Sequence, residues 1–137
     1  MPDTVSNRLG LTTGQTTLLI IIGAALWFLA ALIPRMVAPN GALEESMRMV
    51  TYALVIPGTL QFVWLTKVIT QLRRNQIAVG VALATATALL IDGIVVAWFS
   101  ALYGDNAPDV KNCAAAIQWG ASVGLVLGFI MNKEPKT

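Results

Sequence analysis

The sequence contains no histidine and a single cysteine, and only 12% of its 137 residues are charged. Without histidine the usual axial ligand of haem, the usual ligand of chlorophylls and the commonest zinc and copper ligand are missing, so neither a metal nor another cofactor is expected. Cys113 alone closes no intrachain disulfide and reads as a free thiol or, in second place, as a link between subunits. The net charge is +2 and the longest basic run is Arg73-Arg74, which excludes a nucleic-acid surface. Soluble domains carry about 25% charged residues. With 56% hydrophobic residues this chain has a membrane composition, and it reads as one membrane domain, 1–137, with no linker or low-complexity tract to host a separate activity.

In place of charge there are long apolar runs over 9–34, 49–66, 75–104 (broken only by Asp92) and 112–132. Each is long enough to cross a ~30 Å hydrocarbon core at ~1.5 Å per residue. Backbone amides in lipid need internal partners, and runs this uniformly apolar satisfy them as helices rather than as alternating barrel strands. The pattern predicts an all-α fold: a four-transmembrane-helix bundle with antiparallel up-down topology and spans over 14–36, 49–70, 77–103 and 112–131. The first run is too long for a signal peptide and only Arg8 precedes it as a basic residue, so it reads as uncleaved. Arg8, Lys67, Arg73, Arg74, Lys133 and Lys136 fall on one side, and Arg35, Arg48 and Lys111 on the other. By the positive-inside rule both termini are cytoplasmic.

Local signals refine these limits. Pro39-Asn40-Gly41 is a turn, with Asn40 placed to cap the second helix and Glu44 and Glu45 near that helix's positive end. Asn106 followed by Asp109 resembles a capping box for the fourth helix. The connection around Arg73 to Gln76 is short enough to make the second and third helices antiparallel neighbours. Trp27, Trp64, Trp98 and Trp119 read as interfacial anchors or packing residues.

Asp92 is the acid inside the third run. Counted from the outer helix ends, it lies ~16 Å below Tyr103, and Gln61 lies ~14 Å below Tyr52. An intramembrane carboxylate costs at least ~2.5–3.5 kcal/mol on insertion scales, so it must turn into the bundle and be protonated or hydrogen-bonded. The expected intramembrane polar network is Asp92, Gln61 and, by its long side chain, Gln118. Such a network serves either as an interhelical clamp or as a proton or cation step in a transport path.

Ala116, Gly120, Gly124 and Gly128 recur every four residues along the fourth run. A stripe of this kind lets another helix approach closely. It packs inside the bundle, for example on Gly80, Ala84 and Ala88 of the third helix, or it is a helix-packing seam for another protomer or membrane subunit. Pro57-Gly58 frees the carbonyl of Ala53 and predicts a kink four residues before Gln61, as a tolerated bend or as a gate.

LIPR closing the first run, LLIDGIVVAWFSALYG with its aspartate and aromatic end, a short proline-containing loop and QWGASVGLVLG together resemble small bacterial four-helix integral membrane proteins grouped as a family of unknown function. The resemblance covers roughly 27–129. It implies a four-span bundle and draws attention to Asp92, Trp119 and Gly120, but it implies no activity. Small multidrug-resistance transporters, of similar size, carry an essential glutamate in their first helix, where this chain has no acid. Glutathione-dependent membrane enzymes use arginines and a glutamate near cytoplasmic helix ends, a pattern absent here.

The expected protein is a non-enzymatic, multi-pass protein of the bacterial inner membrane whose partners are the lipid bilayer and a second membrane protein or another copy of itself, met through the fourth helix. The alternative is a small permease or proton/cation pathway centred on Asp92. Catalysis is not expected, because acid–base chemistry at Asp92 needs a second group in reach and the sequence offers none.

Overall fold

The computed structural model describes residues 8–135. Four long helices account for most of them: α1 (Thr13–Val37), α2 (Glu45–Ile69), α3 (Ile77–Trp98) and α4 (Ala107–Met131). All four are long and apolar enough to cross a membrane. Their mid-helix outer faces are bare of protein; Leu54 on α2 is 66% exposed and Leu90 on α3 71%. Such faces are stable in hydrocarbon and costly in water.

Each start and stop has a local cause. Helix α1 opens on a capping box in which Thr12 Oγ1 accepts from the Gln15 amide at 3.1 Å and Gln15 Oε1 accepts from the Thr12 amide at 3.0 Å. Thr12→Ala removes half of this pair and is expected to cost about 1 kcal/mol, read as a lower unfolding midpoint in detergent. Asn40 does not cap α2. It closes a 3-10 turn over residues 38–40, Gly41 follows with φ +76°, and the helix begins only after Glu44. Pro39 fixes one dihedral of that turn and Gly41 supplies the left-handed one, which displaces the helix start. Asn106 does cap α4: its Oδ1 accepts from the Asp109 amide at 2.9 Å, while its Nδ2 donates to Asp109 Oδ2 at 2.8 Å.

Helix α3 ends at Trp98, five residues short of the expected limit at Tyr103. Phe99 leaves helical geometry (φ −133°, ψ 38°), a 3-10 turn over residues 100–102 follows, and Tyr103 is fully buried. A continued helix would leave that ring about three turns, ~16 Å, along the axis from Asp92. The turn folds it back among apolar side chains, where its hydroxyl finds two partners.

Residue contacts fix how the helices lie. Helices α1 and α3 run side by side in the same sense, with Leu19 against Gly80 and Gly23 against Ala84 and Thr87. Helices α3 and α4 run oppositely: Gly128 meets Val81, and Asn132 Oδ1 accepts from the Ala78 amide at 3.0 Å. Helices α2 and α4 run in the same sense, through Val55 on Gly120 and Thr59 on Gly124. The α2–α3 connection does join the two helix ends, but beyond it they diverge and α2 packs chiefly on α4. A short loop constrains only the ends it joins. The core divides accordingly into one cluster around Leu11, Leu19, Val63, Leu72, Ile77, Val81 and Ala84, and a second of Ala31, Val95, Tyr103, Cys113 and Ile117.

Candidate functional site

The second cluster surrounds Asp92, which is only 6% exposed. Tyr103, delivered by the turn after α3, donates its hydroxyl hydrogen to Asp92 Oδ1. The same hydroxyl oxygen accepts from Trp27 Nε1 of α1 at 3.0 Å. One phenol thus links α1, α3 and the α3–α4 connection. A tyrosine phenol carries its proton at physiological pH and so serves as the donor to the carboxyl. Among the described residues no fully buried side-chain nitrogen or oxygen lacks a partner. Above Tyr103, Arg35 bonds the Ala101 carbonyl and approaches Asp105 at 3.5 Å. That ion pair is largely solvated and contributes at most about 1 kcal/mol.

The expected network of Asp92, Gln61 and Gln118 is not assembled. Asp92 lies six residues from the end of α3, ~9 Å deep at the helical rise, because the helix stops at Trp98. The contacts of Ala78 with Asn132 and Val81 with Gly128 set Asp92 level with about Ile117 and Gln118 on α4. Those of α4 with α2 set it level with Tyr52 and Ala53. Gln61 is therefore ~12 Å further along its helix, and its side chain is exposed. Gln118 has the right depth but the wrong side. Ile117 occupies the inward position, and Gln118 faces out beside Ser122, whose hydroxyl donates to the Gln118 carbonyl at 2.9 Å.

The stripe on α4 is covered by this chain's own helices. A Cβ at Gly120 would meet Val55 at 3.6 Å, at Gly124 Thr59 at 3.4 Å and at Gly128 Val81 at 3.1 Å, while Ala116 is buried. Its neighbours are not Gly80 and Ala84, which turn to Leu19, Leu72 and Gly23. Pro57 is exposed and a Cβ on Gly58 would meet nothing within 4 Å, so this pair lies on the outer side of α2, away from Asp92.

Two residues of the site are not picked out by the sequence pattern. Tyr103 reads there as a helix end, and Trp27 as an anchor despite lying ten residues inside the limit of α1. A tryptophan that deep in a span is a signal for a buried acceptor. Trp119 is also tied down: its Nε1 donates to the Tyr52 carbonyl at 3.0 Å and the two rings stack 5.5 Å apart. Trp64 and Trp98 are exposed near the ends of α2 and α3, as interfacial anchors are.

Asp92, Tyr103 and Trp27 hold three segments of the chain together. Cys113 Sγ, the nucleophile of the cluster, is fully buried and faces the Ala31 carbonyl at 3.9 Å. Among the described residues no three of histidine, cysteine, aspartate and glutamate gather where a metal could be held. No family model, no curated protein and no solved structure matches this chain.

Proposed function

We propose that this protein acts through lateral contacts between membrane helices, as an accessory or assembly subunit or as a homo-oligomer. The observation that carries this reading is the outward placement of Gln61 and Gln118. A primary amide in hydrocarbon is stable only when it is hydrogen-bonded. Both amides lie on transmembrane helices and turn away from the bundle, so the partners that satisfy them belong to another chain. Helix α2 adds to this, because α4 is its main support and, apart from Val63 and Thr66 near its end, most of the rest of its surface is exposed. The glycine stripe, being occupied internally, is not the seam in this reading; the outer faces of α2 and α4 are. The lysine and arginine distribution supports an up-down passage with both termini in the cytoplasm.

A second reading, a proton or cation step at Asp92, is favoured by the burial of that acid and opposed by the phenol that occupies it. The test is the mass of the full-length protein released from mild detergent, with crosslinking in vesicles as a second measurement. Wild type is expected as a complex with itself or with a stoichiometric partner. Gln61→Leu and Gln118→Leu are each expected to weaken it by about 1 kcal/mol. A monomer without bound protein under both conditions would overturn the proposal, and cation flux lost in Asp92→Asn would favour the second reading.

A further inference from the structure

We propose that the end of the bundle formed by the α2–α3 connection and the close of α4 is a docking surface for anionic phospholipid headgroups. Four cations from separate parts of the chain meet there: Lys67 in the last turn of α2, Arg73 and Arg74 in the connection, and Lys133 after α4. Backbone bonds hold them together. The Lys133 amide donates to the Arg74 carbonyl at 2.9 Å, and the Leu72 amide donates to the Lys67 carbonyl at 3.0 Å. Gln76 Nε2 donates to the Gly10 carbonyl at 2.7 Å, which brings Arg8 to the same end.

None of these cations forms an ion pair within the described residues, where Arg35 with Asp105 at the far end is the one pair. The far end sets Glu44, Glu45, Asp105 and Asp109 against Arg35, Arg48 and Lys111, whereas Glu134 is the acid described beside the cationic group. The unbalanced charge therefore lies at one helix end, at headgroup depth. On α2 the exposed side chains of Trp64 and Leu65, one turn inward of Lys67, and of Val68 and Ile69 beside it form an apolar flank that lies inward of Arg73, Arg74 and Lys133. Phosphate above and acyl chain below match this order of cation and hydrocarbon, which a free inorganic anion would use only in part.

The test is lipid retention by the full-length protein in detergent, measured by native mass spectrometry with phosphatidylglycerol and phosphatidylcholine of identical chains. Phosphatidylglycerol is expected to be retained preferentially, the preference falling about fivefold for each cation removed in Arg73→Gln, Arg74→Gln and Lys133→Gln. Lys111→Gln, at the far end, is expected to leave it intact. In wild type, which needs no variant to fold, raising the salt should shrink the preference. Equal retention of the two lipids, or a preference that survives the triple substitution or high salt, would overturn the proposal. Displacement of phosphatidylglycerol by inorganic phosphate at matched concentration would also overturn it, in favour of a soluble-anion site.

Discussion

Tyr103→Phe is expected to destabilise the folded protein by about 1.5–3 kcal/mol, read from unfolding midpoints in a fixed detergent. The substitution keeps the ring, which is fully buried, and removes one oxygen that serves two partners. Asp92 then loses its donor and Trp27 Nε1 its acceptor, the first buried and the second partly buried. A mean hydrogen-bond value understates such a loss, because most of the cost comes from desolvating groups that are left unpaired. Asp92→Asn should be milder, since an amide oxygen can still accept from the phenol. In the double variant Tyr103→Phe with Asp92→Leu, the acid that would be stranded is gone. It should be less damaged than the two single effects summed, with a coupling of at least about 1 kcal/mol. Strict additivity would mean that the two side chains do not interact in the membrane-embedded protein.

Gly23→Ala is expected to be comparably severe although it adds a single methyl group. A Cβ at this position would stand 2.4 Å from the Ala84 carbonyl oxygen and 2.9 Å from the Thr87 Cβ. The carbonyl belongs to α3's backbone and the Cβ is fixed to it, so no rotamer change gives relief and α1 must move as a whole. Overpacking of this kind costs typically about 1–3 kcal/mol, and α3 is the main support of α1. Gly93→Ala provides the comparison within the same fold. A Cβ there meets nothing within 4 Å, so the variant should unfold at or slightly above the wild-type midpoint. If both substitutions raise the midpoint equally, helix propensity rather than the α1–α3 contact would decide the outcome.

The four long helices were legible in the spacing of charges, because water-soluble ends and lipid-soluble middles select different residues. Asp92 was legible as a buried acid for the same reason. Its partner was not, and the difference begins at Phe99. The segment from Phe99 to Tyr103 contains neither glycine nor proline, so no local signal stops the helix before Gly104. Its end is set by what Tyr103 gains on folding back, a tertiary effect that local pattern does not carry. Measuring depth from Tyr103 then put Asp92 level with Gln61, when the contacts across α4 put it level with Tyr52 and Ala53. Gly23 stayed hidden for another reason. It is the close-packing residue of α1, but it lacks the four-residue repetition that marked α4, and the backbone it approaches is two helices along the chain.

That spacing of partners has a consequence for how the protein is made. Helix α1 packs chiefly on α3 and α2 chiefly on α4, so neither of the first two helices finds its main neighbour in the helix that follows it from the ribosome. When α2 enters the bilayer, the glycine face that will receive Val55 and Thr59 has not been synthesised. Helix α1 likewise waits for Ala84 and Thr87. Both early spans must therefore persist in lipid as separate helices, and the bundle closes only when α4 arrives. A chain interrupted within the α3–α4 connection would insert three helices yet leave α2 without its principal neighbour, available to whatever quality-control protease or assembly factor patrols the membrane.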